Sequence, residues 1–367
     1  MNFELTEERQ MLQDMLRRYL RENYGAEARN KIIESEAGFS AEVWAGLAEL
    51  GVLGALFTED QGGFGGAGFD IAIVFEELGR AGVMEPVAET CVLGGRILAA
   101  AGRADLVEQV IAGGLHLALA HGEPASRYDL TQVATTATAK GDGVILNGRK
   151  AVVSNAEAAD HLIVSAREAD GLSLFLVPKD AGGVSLQGYP QIGGGRAAEV
   201  TLNDVNVPDD ARLGAPGEAL ALLEPAVAAG TVAICAEALG GMETALRLTT
   251  DYLGMRKQFG RPIGTFQALQ HRLADMLIEL EQARSIVILA AGHLEAAPDR
   301  RDRHVSAAKH LIGRVGRMIA EESIQMHGGI AMTQEYELAH IAKRIVMADH
   351  RLGDTDHHLE RFIALGA

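Results

Sequence analysis

With two cysteines, one tryptophan and nine prolines in 367 residues, the chain lacks the material for several kinds of protein. Cys91 and Cys235 have no metal-ligand spacing and make no disulfide framework, so both read as buried thiols. Basic residues are also scarce. Lys and Arg number 33 against 50 Asp and Glu, a formal net charge of −17, which argues against nucleic acid and anionic membranes as partners. The stretch Met1–Glu8 has neither the basic start nor the apolar run of a secretion signal, and a cytoplasmic protein is expected. The longest run of small apolar residues, Ala226 to Gly241, is interrupted by Glu237 and rich in Ala and Gly, which suits a packed helix and not a membrane span. Internal repeats and low-complexity segments are absent.

What is present is a globular composition, 48% hydrophobic and 23% charged, long enough for two or three domains. From Thr6 onward Leu12, Met15, Leu16 and Tyr19 recur at helical spacing behind a capping threonine and two first-turn acids. Ser40 stands likewise before Val43, Trp44, Leu47 and Leu50, with Gly51 as the residue after the helix. This helical texture continues to about Gly114. It then gives way to short β-rich runs at 117–120, 134–139, 144–146, 162–165, 172–177 and 199–202, with Asp142-Gly143, Asn147-Gly148 and Asp170-Gly171 as turns. After Pro208 long Ala-rich helical segments return, at roughly 218–255, 265–294, 304–327 and 335–362, in the manner of a bundle. The order is an α+β multi-domain chain: residues 1–114 helical, 115–212 a small antiparallel β domain, 213–367 helical.

Two other motifs have ordinary explanations. The run Gly62-Gly63-Phe64-Gly65-Gly66-Ala67-Gly68 lacks both the preceding parallel strand and the Gly-Lys-Ser/Thr ending of a phosphate loop, and reads as a flexible inter-helix loop. Adjacent His357 and His358 diverge by about 100° on a helix, so no metal site is expected there.

The most informative stretch is Tyr252-Leu253-Gly254-Met255-Arg256-Lys257-Gln258-Phe259-Gly260-Arg261-Pro262-Ile263, followed by Phe266-Gln267 and Gln270-His271. It reads as a helix end, a tight turn and a new helix, with a guanidinium and an aromatic ring fixed at the turn, an arrangement suited to a diphosphate. The run resembles the C-terminal signature of acyl-CoA dehydrogenases. Gln325-Met326-His327-Gly328-Gly329 and Val205-Asn206-Val207-Pro208 resemble further segments of that family. The resemblance implies an N-terminal helical domain, a middle β-barrel-like domain and a C-terminal four-helix bundle. It also implies FAD as cofactor, an acyl-CoA as substrate and an electron-transfer flavoprotein as acceptor. By the same resemblance Arg256, Gln258, Phe259, Gln325, Gly328 and Gly329 would reach across an interface to the ADP half of FAD held mainly by a neighbouring subunit.

Other family elements are eroded. Where the family carries T-E-P-G-A-G-S-D, with its threonine on the flavin pyrimidine, this chain has Gly122-Glu123-Pro124-Ala125-Ser126-Arg127-Tyr128-Asp129. Where the family stacks a tryptophan on the ring and places a threonine at N5, it has Val152-Val153-Ser154, keeping only the hydroxyl of Ser154. The catalytic glutamate falls in most members 24 residues beyond the first glycine of the Gly-Gly pair, which here is Leu352. In others it lies 22 residues before the signature tyrosine, which here is Gly230. Neither is an acid, and Asp354 is a weak substitute, rotated by some 200° for a two-residue shift. Glu224 and Glu237 read as surface or packing residues. The segments Ser126–Leu130, Phe266–His271 and Gly353–Leu359 resemble the small subunits of pimeloyl-CoA dehydrogenase and of heteromeric steroid-CoA dehydrogenases, which implies a larger partner subunit in an α2β2 assembly. The alternatives are an autonomous homotetramer using Asp354 or another acid, and a non-catalytic flavoprotein scaffold or CoA-ester binding protein.

Overall fold

The computed structural model describes residues 5–366, so the first four residues of the N-terminal stretch read above lie outside it. Helix α1 (Glu7–Asn23) starts where Thr6 Oγ1 accepts from the Arg9 amide at 3.3 Å, and it buries Leu12, Leu16 and Leu20. After α2 (Ala26–Glu34), α3 (Ala41–Glu49) is capped by Ser40, which accepts from the Val43 amide at 3.2 Å; Gly51 leaves the helix at φ +75°. The glycine-rich run leads into α4 (Gly68–Ala81), and it is not the flexible loop expected. The Gly65 amide donates to Phe57 and the Gly66 amide to Ala55, both at 2.9 Å, so the glycines serve close backbone approach and their N–H groups are already used. A π-helical segment, Ala88–Gly95, then runs into α5 (Arg96–Ala100) and α6 (Ala104–Ile111).

The middle region is one eight-stranded sheet: β1 (Leu117–Ala120), β2 (Thr136–Lys140), β3 (Gly143–Ser154), β4 (His161–Glu168), β5 (Gly171–Pro178), β6 (Val184–Pro190), β7 (Arg196–Pro208) and β8 (Arg212–Leu213). The order is β6-β7-β3-β2-β4-β5-β8, with β1 on β4. Most pairs are antiparallel, as read from the sequence, but β4 runs parallel to β1 and, at Thr136–Arg167, to β2, so the sheet is mixed. Alternation along β4 and β5 feeds two cores: Ile163, Leu174 and Leu176 join the helical core, while Leu162, Val164, Phe175 and Val177 fill the β core. Asn147-Gly148 is not a turn. It lies inside β3 at a register shift, where the Asn147 side chain bonds Asp204 across the sheet.

The C-terminal region packs α7 (Ala219–Met255), α8 (Gln267–Ala291), α9 (Pro298–His327) and α10 (Glu337–Ala348) as a bundle, with α11 (Thr355–Ala364) on α9. The expected single helix over 335–362 is broken at 349–354, where Asp354 starts a new helix by accepting from the His357 amide. Helix α7 is long and apolar enough to cross a membrane, yet most of it is buried inside this chain. It meets α4 backbone to backbone: a Cβ on Gly79 would overlap the Glu237 carbonyl oxygen, and one on Gly240 the Glu76 carbonyl oxygen. Cys91 and Cys235 are both buried, as expected.

Candidate active site

The signature run forms a compact surface feature. Helix α7 ends as the Arg256 amide bonds the Tyr252 carbonyl at 2.8 Å; Lys257-Gln258 then pairs with Arg261-Pro262 across a turn in which Phe259 and Gly260 both have positive φ. That turn holds the Phe259 ring outward, 89% exposed and perpendicular to the Phe266 ring, while the Arg261 guanidinium lies 4.2 Å from the Phe266 ring centroid. Further along the chain, α9 ends at Gly328 with φ +67°, and apart from adjoining residues of the chain no described atom lies within 4 Å of where a Cβ on Gly328 or Gly329 would sit. The two segments are locked together by Tyr252 stacked on His327 at 4.5 Å, with Tyr336 also packed against the imidazole. Arg256, Gln258, Phe259, Gly328 and Gly329 are exposed, and Gln325 is exposed as well near the end of α9.

A cavity of about 410 Å³ opens between the sheet and the helices. Gly122 and Val152 share its sheet-side wall, where the Ala151 amide donates to the Gly122 carbonyl at 2.8 Å. Val152 has φ +53° and is 58% exposed, an outlier for a β-branched residue at the register shift in β3. Ser154, half-buried at the end of β3, lines the same cavity. Behind this wall the Lys150 ammonium is completely buried and donates to Glu123 at 2.8 Å, to the Ser165 hydroxyl at 3.0 Å and to the His121 carbonyl at 3.3 Å. Burial alone would raise the Glu123 carboxyl, but Lys150 and Thr135 bring it down to about 2; burial pulls Lys150 down to about 8 against the pull of Glu123. Glu123 is thus a structural strut and not a base.

Gly230 and Leu352, the two positions at which the resemblance would put the family's glutamate, meet beside this cavity, with Leu352 in its lining. Leu352 Cδ1 lies 2.9 Å from where a Cβ on Gly230 would be, and Leu93 closes the gap from another side at 2.6 Å. Leu352 has φ +55°, and its loop is held by neighbours: buried Lys309 donates to the Asp349 carbonyl at 2.8 Å and to the Gly353 carbonyl, and His358 Nε2 donates to the Leu352 carbonyl at 3.0 Å. Burial takes the His358 imidazole down to about 3, so it is neutral, with Nδ1 facing the Ser306 hydroxyl. Asp354 caps α11, with Arg127 at 3.9 Å. Arg127 itself has φ +46°, in the segment where the family pattern is glycine-rich.

Sequence reasoning misses Glu89 and Arg351. Both line the cavity and pair at 2.7 Å; Glu237, read as surface or packing, is buried beside Arg351 at 3.5 Å and pairs with Arg344 at 2.6 Å. Glu224 also lines the cavity. The signal for Glu89 is slight: an acid in an apolar helical run ending in Gly94-Gly95. No group of three or more metal-ligating side chains occurs among the described residues.

Known proteins match this geometry along the whole chain. The N-terminal, middle and C-terminal domains of acyl-CoA dehydrogenase match residues 6–113, 118–205 and 222–363. A probable acyl-CoA dehydrogenase of Bacillus subtilis, YngJ, is 30% identical over 99% of this chain and 98% of its own. A solved steroid acyl-CoA dehydrogenase, Tcur3481-Tcur3483, superposes with a TM-score of 0.89 at 32% identity, over 98% of this chain and 97% of that one. The ChsE4-ChsE5 complex of Mycobacterium tuberculosis gives 0.90 at 26% identity, over 99% and 98%. The chain belongs to the acyl-CoA dehydrogenase family, the FAD-dependent oxidoreductases of acyl-CoA thioesters.

Proposed function

We propose that this chain is the base-lacking small subunit of a heteromeric acyl-CoA dehydrogenase, one half of a composite site whose glutamate and flavin pocket belong to a longer homologous partner in an α2β2 assembly. The observation that carries the reading is the apolar contact between Gly230 and Leu352, since both positions able to hold the α-proton base are filled by hydrocarbon. The exposed Arg256 and Phe259 and the uncovered Gly328-Gly329 backbone suit the ADP half of an FAD bound by that partner, the arginine offsetting diphosphate charge. Bound FAD supplies the acceptor for the substrate's β-hydride. Electrons then pass to an electron-transfer flavoprotein. Two solved relatives at 32% and 26% identity are named as paired proteins, which supports a heteromer here. An autonomous enzyme using Asp354 is disfavoured because that carboxylate already caps α11.

The test is flavin absorbance per protein mass and ferrocenium-linked turnover of the chain purified alone and with its longer homologue. Alone it is expected to be poorly flavinated and inactive; together, to hold about one FAD per heterodimer. A yellow, active homotetramer of this chain alone would overturn the reading.

A further inference from the structure

The cavity has both apolar and charged walls. Leu93, Val227 and Ile234 are among its apolar lining residues, and Glu89 and Arg351 are charged ones, beside Arg127, Glu224 and the Asp302–Arg361 pair. Glu89 stands in the first turn of the π-helical segment, a form that recurs at functional sites. Its Oε1 accepts from Arg351 at 2.7 Å. Arg351 leans at 3.5 Å on Glu237, which is held by Arg344 at 2.6 Å. Two carboxylates and two guanidinium groups therefore balance to zero net charge.

We propose that this chain's own cavity binds an acyl-CoA without oxidising it and selects acyl groups whose far end carries a neutral oxygen, a hydroxyl or a ketone, held by the Glu89–Arg351 pair. The inference rests on the family reading of the cavity as an acyl site. A methyl terminus would leave the lining charges without a partner of their own kind, and apolar contact there forfeits their solvation. A carboxylate terminus would add a third negative charge to a balanced set and would have to displace Glu89 from Arg351. A hydroxyl donates to Glu89 and accepts from Arg351, and a ketone accepts from Arg351, with no charge displaced.

The experiment is calorimetric titration of the purified full chain with matched medium-chain acyl-CoAs ending in methyl, hydroxyl, ketone or carboxylate. The expected result is roughly tenfold tighter binding of the hydroxyl- or ketone-ended ligands than of the methyl-ended one, the size of one hydrogen bond to a charged group. Glu89→Gln leaves the cluster one positive charge in excess and should turn the preference toward the carboxylate-ended ligand. Equal affinities, a wild-type preference for methyl or carboxylate, or no binding of any of the four overturns the proposal. Flavin reduction is followed in the same samples. A hydroxyl or ketone preference accompanied by bleaching of chain-bound flavin would leave the selectivity standing and overturn the base-lacking reading instead.

Discussion

Leu352 and Gly230 lie against each other, the Cδ1 of the one 2.9 Å from the point where a Cβ of the other would project. Two elements that can each carry the catalytic acid in this family thus converge on one spot, and here that spot is hydrocarbon. Turnover involving this chain should therefore be insensitive to the acids that remain near it.

Asp354 supplies the sharpest case. Asp354→Asn keeps an N-cap acceptor for the His357 amide and should leave both stability and heteromer turnover within a few-fold of the parent. Asp354→Ala should lower stability by about 1 kcal/mol in chemical denaturation, still without a catalytic effect. A loss of turnover of about 10²-fold or more in the asparagine variant would mark it as a general base.

Arg256 is exposed at the end of α7. Arg256→Ala should weaken FAD retention in the assembled enzyme by about 1.5–3 kcal/mol, as for a lost charge-assisted hydrogen bond, with no change in the melting of the isolated chain. Flavin content after dialysis checks the first part and a thermal scan the second.

The α4–α7 crossing tolerates no side chain. Gly79→Ala or Gly240→Ala sets a methyl group into an opposing carbonyl, and because backbone cannot move aside as a rotamer can, each should destabilise the chain by about 3 kcal/mol. Gly102→Ala, whose added Cβ meets no atom within 4 Å but whose φ is +75°, should cost only the strain of that backbone, about 1 kcal/mol. Denaturant midpoints distinguish the two.

Acid stability should depend on Glu123. Its folded carboxyl sits near 2 against an ordinary value of 4.5, so the stability it contributes is complete above 4.5 and is lost as pH falls toward 2. Lys150 runs the other way. Its folded value is near 8 against 10.5, so the unfolded chain binds more protons between those values and this group makes stability rise with pH there. Glu123→Gln should flatten the acid limb while lowering stability at neutral pH, because it strands the buried ammonium. Melting temperature against pH measures both.

The fold is legible in the sequence where its determinants are local. Thr6 and Ser40 cap helices through bonds three residues away, and such signals can be read directly. The glycine-rich run misleads because its partners, Ala55 and Phe57, belong to the preceding turn and only packing reveals them. Strand β6 escapes notice because Val184, Leu186 and Gly188 alternate with polar residues too weakly to stand out at a sheet edge. The break before Asp354 looks like helix because Ala348-Asp349-His350-Arg351 carries no proline; what holds the chain after α10 is tertiary, through Lys309 on the loop carbonyls. Within the site, residues 252–263, proposed to face the cofactor, stand out as one contiguous motif. Glu89, Arg351 and Glu237 do not, since they come from three separate segments and meet only in the folded chain.

Lys309 has one more implication. It grips the 349–353 loop by main-chain oxygens alone, and no side chain of that loop takes part in the grip. That hold is consequently independent of the side chain displayed at position 352, while Asp349 on Thr355 and Arg351 on Glu89 brace the loop to either side, and Leu352 occupies a ready-made socket. An engineer wishing to install an acid at that point would face a question of solvation for the new carboxylate, with the scaffold already cast.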